Sequence, residues 1–209
     1  MSGSLYESHV TVRCDSRAQC ERLAGWAAAA GLKLTSVELA RGRMRSQPML
    51  TLRGSASYAA ARAEAERVTA RLRADGFVPV RVKTESAPWA PEVPGGPCRG
   101  AQYFEHHVKL RLAAGTDLDA LAARVVPHGA HLSWNARRAV GRGRHERFVT
   151  QRCRGVDAEG AGRALEALLA ELAGLEVVEV EREFVLHDSD PSVDDGWIED
   201  DGVRRGVRG

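Results

Sequence analysis

The sequence predicts an α+β fold made of two tandem units, each running strand, helix, strand, strand, helix, strand. Three observations predict it. The first is a charged strand written twice. YESHVTVR (6–13) and YFEHHVKLR (103–111) both read aromatic, acid, histidine, alternating apolar and polar, then arginine. The second is a wider match. With His107 laid on His9, KLTSVELAR (33–41) falls on HLSWNARRA (131–139), and LTLRG (50–54) falls near QRCRG (151–155). The third is a repeated boundary. AAAAGLKL, RADGFVPV, VPHGAHLS and ELAGLEVV each pass from helical pattern through Gly31, Gly76, Gly129 or Gly174 into an apolar strand. Glycine closes a helix cheaply there because it adopts the left-handed conformation without a Cβ penalty.

The elements follow in order. In residues 1–85, strands are expected at 5–14, 32–42, 48–54 and 77–84, with helices at 16–30 and 57–75. Ala61, Ala65, Val68 and Leu72 recur at helical spacing, so that face meets a sheet. In residues 101–187, strands are expected at 103–112, 131–139, 146–154 and 176–186, with helices at 117–128 and 157–173. Ala161, Leu165, Leu168, Leu169 and Leu172 form the apolar face of the last helix. Asp15 or Ser16, Thr116 and Asp157 stand where N-caps belong. This order is that of a ferredoxin-like unit. Two such units pack as a pseudo-twofold pair, and their eight strands can close into a tunnel-like arrangement. Residues 86–100, rich in proline and glycine, read as an extended linker. Residues 188–209 read as a mobile tail, first acidic and then basic, that Trp197 and Ile198 can pin in part.

The bulk properties exclude several classes. The net charge of +2 gives no general attraction to nucleic acid or anionic lipid. No apolar run approaches the ~20 residues of a membrane span. MSGSLYESHV lacks the apolar core of a signal peptide. Cys14, Cys20, Cys98 and Cys153 form no CxxC pair and no histidine-linked zinc spacing. The expectation is a reduced, cytoplasmic protein with no membrane partner. Apart from Lys33, Lys83 and Lys109, every basic side chain is arginine, which suits phosphate and carboxylate recognition.

Strand parity sorts the charges. Phe104, His106, Val108 and Leu110 share one face; Glu105, His107, Lys109 and Arg111 share the other. The first unit does the same, with Glu7, His9, Thr11 and Arg13 on the polar side. Arg152 and Arg154 share a parity, with Arg53 as the counterpart of Arg154. Glu179, Glu181 and Glu183 share another, and so do Arg81 and Lys83. Two such faces turned toward each other would line one charged cavity.

Residues 105–109, Glu-His-His-Val-Lys, together with the acidic strand at Glu179 and Glu181, resemble the CYTH superfamily of triphosphate tunnel enzymes. Its marker is an acid-x-acid-x-lysine strand; here His107 stands at the second acid and the strand lies in mid-chain. The resemblance implies an eight-stranded tunnel with helices outside. It implies a divalent cation, magnesium or manganese, on Glu105, Glu179 and Glu181, and a polyphosphate on Lys109, Arg111, Arg152 and Arg154. Arg13 and Arg53 are the first-unit counterparts of these basic groups. His9-Val10-Thr11 and His107-Val108-Lys109 also resemble the paired motifs of two-histidine phosphoesterases, in which the histidines act as acid and base on a cyclic phosphate or RNA end. That resemblance casts His9 and His107 as catalytic; lysine replaces the second hydroxyl. The competing expectation is a non-enzymatic module that binds a protein partner or an RNA backbone, helped by RRAVGRGRHER (137–147). Stacking-based RNA readout is disfavoured because the open central-strand positions carry no aromatic.

Overall fold

The computed structural model describes residues 5–136 and 143–198. The first half runs β1 (Tyr6–Arg13), α1 (Arg17–Ala29), β2 (Lys33–Leu39), β3 (Ser46–Arg53), α2 (Tyr58–Ala74) and β4 (Val78–Ser86). The second runs β5 (Tyr103–Ala113), α3 (Leu118–Val125), β6 (Ala130–Asn135), β7 (Arg144–Cys153), α4 (Ala158–Glu171) and β8 (Glu176–Asp188). A 3-10 turn (Val126–His128) extends α3, and another (Pro191–Asp194) follows β8.

Local chemistry sets the boundaries as expected. Gly31, Gly76, Gly129 and Gly174 all have positive φ between 64° and 88°. The side chains of Ser16, Ser57 and Asp157 cap α1, α2 and α4. The cap of α3 is Asp117 rather than Thr116: its carboxylate accepts from two backbone amides of the first turn.

All eight strands join one closed antiparallel barrel in the order β1-β3-β2-β6-β7-β5-β8-β4. Each half contributes a contiguous block, β4-β1-β3-β2 and β8-β5-β7-β6, so matched strands hold matched places. The halves meet along two short seams. One pairs Val37–Leu39 of β2 with Asn135–Ser133 of β6. The other pairs Lys83–Ser86 of β4 with Asp188–Phe184 of β8. Strand direction alternates around the barrel, so β1 and β5 run in opposite directions.

The apolar core lies outside the barrel wall. Val10, Val12, Leu50 and Leu52 meet Leu23, Val68 and Leu72 of α1 and α2. Val108, Leu110, Leu132 and Val149 meet Leu121, Leu165 and Leu168 of α3 and α4. Alternation then forces the polar partners of these residues inward.

Two segments outside the barrel strands and the four helices are also packed. Residues 87–102 carry no helix or strand, yet they are packed: Ala90 and Cys98 join Tyr6, Phe104 and Phe184 in one cluster, and Glu92 accepts from the Tyr6 hydroxyl at 2.8 Å. Residues 188–198, expected to begin a mobile tail, fold onto the barrel. Asp194, Trp197 and Ile198 are buried, and Leu39 packs against the last two. The rest of the acidic-to-basic tail and residues 137–142 of the arginine-rich loop lie outside the described residues. Among the described residues, no helix is long and apolar enough to cross a membrane.

Candidate functional site

The inward parity of both halves converges on one cavity of about 180 Å³ inside the barrel. Register shows how the halves correspond. On β1, His9 lies opposite Thr51 of β3 and Lys83 of β4, while Glu7 lies opposite Arg53 and Glu85. On β5, His107 lies opposite Thr150 of β7 and Glu181 of β8, while Glu105 lies opposite Arg152 and Glu183. The counterpart of Arg53 is therefore Arg152, not Arg154.

The contacts match as well. Nδ1 of His9 is hydrogen-bonded with Oγ1 of Thr51 at 3.3 Å, and its Nε2 lies 3.0 Å from Glu85 and 3.5 Å from Glu7. Nδ1 of His107 is hydrogen-bonded with Oγ1 of Thr150 at 3.0 Å, and its Nε2 lies 3.3 Å from Glu183 and 3.8 Å from Glu105. A threonine fixes one ring nitrogen, and two carboxylates face the other. Burial opposes charge on both rings, but the carboxylates win. Glu85 and Glu7 raise His9. The Glu183 bond and the charge of Glu105 raise His107 to about 9. The carboxylates thus favour the charged form of both rings.

The basic groups already have partners. Lys83 Nζ reaches Glu85 at 2.6 Å and Glu105 at 2.5 Å. Arg152 donates from Nε to Glu105 at 2.8 Å and from Nη2 to Asp194 at 2.6 Å. Arg81 donates Nε and Nη2 to Asp188, and Nη1 to Asp194 at 2.8 Å. Burial raises the Glu105 carboxyl, but Lys83 and Arg152 outweigh it and hold the group well below the usual range. The same contest takes Glu85 down to about 2, through Lys83 and His9. Glu183 goes the other way: burial, and then the charge of Glu85, raise it.

Not every expected site residue enters this cavity. His9, His107, Glu105, Arg53, Arg152 and Glu181 line it. Lys109, Arg111 and Glu179 belong to a separate ion-pair set with Glu146 and Glu176. Arg13 lines a second cleft with Arg43 and Asp190. Arg154 stacks over the Tyr103 ring at 4.2 Å.

The expected cation set of Glu105, Glu179 and Glu181 does not converge. Glu105 is taken by Lys83 and Arg152, and Glu179 by Lys109. Same-face residues on one strand stand ~6.6 Å apart, too far for two neighbours to share an ion without help from another strand. The β4–β8 seam supplies that help. Ligand atoms of Glu85, His107 and Glu183 lie within 4.8 Å of one another. Glu85 is 1% exposed, with Lys83 Nζ 2.6 Å from one carboxylate oxygen and His9 Nε2 3.0 Å from the other. A donor set of two carboxylates and one imidazole suits a divalent cation such as manganese or zinc.

Sequence reasoning missed Glu85, Thr51, Thr150, Gln47 and Asp194 as site residues. Glu85 carried a signal, because it shares parity with Arg81 and Lys83. Thr51 and Thr150 are ordinary strand residues until register puts them beside the histidines. Asp194 carried no signal within its acidic segment. No protein-family model matches the sequence, and no curated protein matches it.

Proposed function

We propose that the barrel binds a short phosphate-bearing ligand, a polyphosphate, nucleotide phosphate or RNA end, and hydrolyses it with a divalent cation. The observation that carries this reading is the pair of matched Thr–His–Glu sets facing one cavity inside the barrel. Its volume of about 180 Å³ is below that of drug-sized pockets, so the reacting group enters rather than a whole macromolecule.

Glu85, His107 and Glu183 would hold the cation, magnesium, manganese or zinc, replacing a proton on His107. A bound cation polarises a phosphoryl oxygen and stabilises the charge that builds there. His9 then serves as the general acid. Thr51 orients its ring, and Nε2 carries a proton at the cavity wall, ready for the leaving oxygen. Lys83 keeps Glu85 ionised. The finer fold reading supports this division of labour. The shared element order, strand order and site register of the halves fit a duplicated ferredoxin-like unit whose two copies joined their open faces.

A second reading is a non-enzymatic interaction module. Val177, Val178 and Val180 of β8 are each about two-fifths exposed beyond the β4 seam, a strand edge that a partner could cover.

The test is phosphate release from tripolyphosphate, a nucleoside triphosphate and a cyclic phosphodiester, each with magnesium, manganese or zinc. We expect metal-dependent turnover that falls at least ~100-fold in His9→Gln and in Glu85→Gln. Absence of turnover with every metal, and of thermal stabilisation by any of these ligands, would remove the reading and leave the β8 edge as the functional surface.

A further inference from the structure

The cavity poses a problem for any anionic ligand, because its arginines are already paired. One of their partners is not part of the barrel. Asp194 sits on the 3-10 turn after β8, and its carboxylate enters the same cavity that His9 and His107 line. Three donors from three strands converge on it. Arg81 Nη1 of β4 and Arg152 Nη2 of β7 donate to Oδ2 at 2.8 Å and 2.6 Å, and Gln47 Nε2 of β3 donates to Oδ1 at 2.9 Å.

The donors are held independently of Asp194. Asp188 grips the remaining two donor nitrogens of Arg81, and Glu105 grips Arg152 Nε. Gln47 also donates to the Met44 carbonyl. All three side chains are buried or nearly so, with Arg81 and Arg152 each 5% exposed at the side chain. Their positions are set by strands and neighbouring acids, so the cradle persists whichever oxyanion fills it.

The segment carrying Asp194 is pinned from outside. Trp197 Nε1 donates to the Leu132 carbonyl, and the Arg43 amide donates to the Asp195 carbonyl. Gly42, at φ +114°, lets the two segments approach: a Cβ there would stand 3.0 Å from Trp197.

We infer that Arg81, Arg152 and Gln47 form an oxyanion-binding subsite at this end of the cavity, where the Asp194 carboxylate holds the place of a ligand phosphate. The inference deepens the phosphate-ligand reading and rests on it for the identity of the natural ligand. Arginine forks suit phosphate oxygens as well as carboxylates. A terminal phosphate that takes the place of Asp194 gains the same three donors. Without an acceptor there, two buried guanidinium groups and an amide would each leave a donor unsatisfied, which is costly.

The test is calorimetric binding of inorganic phosphate, at constant ionic strength, to wild type, Asp194→Ala and Asp194→Ala/Arg152→Met. Asp194→Ala should bind phosphate at least tenfold more tightly than wild type, and adding Arg152→Met should abolish the gain. If Asp194→Ala folds only with added anion, refolding yield against phosphate concentration reads the same affinity. Equal affinity in wild type and Asp194→Ala, or a gain that survives Arg152→Met, would overturn the subsite. Binding is read without turnover, so an inactive protein that still shows the gain would sink the hydrolytic reading and keep this one.

Discussion

The two halves of the barrel agree at the centre and diverge toward the ends. At the centre, His9 and His107, Thr51 and Thr150, Glu7 and Glu105, and Glu85 and Glu183 occupy matched register positions. Two residues farther along, Arg81 of β4 matches Glu179 of β8. Because β1 and β5 run in opposite directions, those divergent positions lie at opposite ends. One end is basic and closed by Asp194; the other is acidic and paired with Lys109 and Arg111. The histidine, its threonine and its two carboxylates occur in both halves, whereas the residue across from each histidine, Lys83 or Glu181, and the ends differ. This is the pattern expected if the chemistry uses both histidines and the ligand enters with one orientation.

The largest test of that contrast compares Arg152 with its counterpart Arg53. Arg152 is 5% exposed at the side chain and bridges Glu105 and Asp194; Arg53 is 55% exposed and pairs with Glu7. Arg152→Met removes one charged donor from each of two buried carboxylates, leaving Lys83 on Glu105 and Arg81 with Gln47 on Asp194, and should cost about 3 kcal/mol in urea unfolding. Arg53→Met should cost less than about 1 kcal/mol. Equal losses would mean that the ends are not specialised in the way their burial implies.

The next effect is smaller and depends on pH. Burial raises the Asp194 carboxyl, but Arg152 and Arg81 outweigh it and bring it from 3.8 to about 2. Because the folded value lies below the unfolded one, the group stabilises the fold fully above pH ~4 and loses that contribution as pH falls toward ~2. The contribution is about 2 kcal/mol. Stability measured between pH 5 and pH 2 should fall less steeply in Asp194→Asn than in wild type. Parallel curves would show that Asp194 does not carry this proton linkage.

Much of the fold was legible because period-2 alternation, glycine helix ends and N-caps are local signals. The strands and helices fall within a few residues of where periodicity puts them, and the inward parity of Glu105 and His107 follows from the apolar parity of Phe104 and Val108. The site was legible only in part, because its groups meet across seams. Nothing local says that β4 pairs with β8, yet that seam brings Glu85 to Glu183 and His107. Nor does composition distinguish Lys109, which leaves the cavity for Glu146 and Glu179, from Lys83, which stays in it. Asp194 was hidden for the opposite reason. Low apolar content around it suggests mobility, but three charge-assisted or amide hydrogen bonds and the burial of Trp197 hold the segment in place.

The smallest effect probes the centre, where the halves should behave alike. Thr51→Val and Thr150→Val each remove the partner of a histidine Nδ1 while keeping the shape of the side chain. Each should cost about 1 kcal/mol of stability, with Thr150→Val the larger because its bond is 3.0 Å against 3.3 Å. The informative measurement is the pair. Residues that share one network show coupling, whereas residues in independent sites add. If His9 and His107 serve one cavity, the ligand-binding losses of the double variant should depart from the sum of the single losses. Simple additivity would split the barrel into two separate threonine–histidine pairs that happen to face the same space, and the shared-site reading would fail with it.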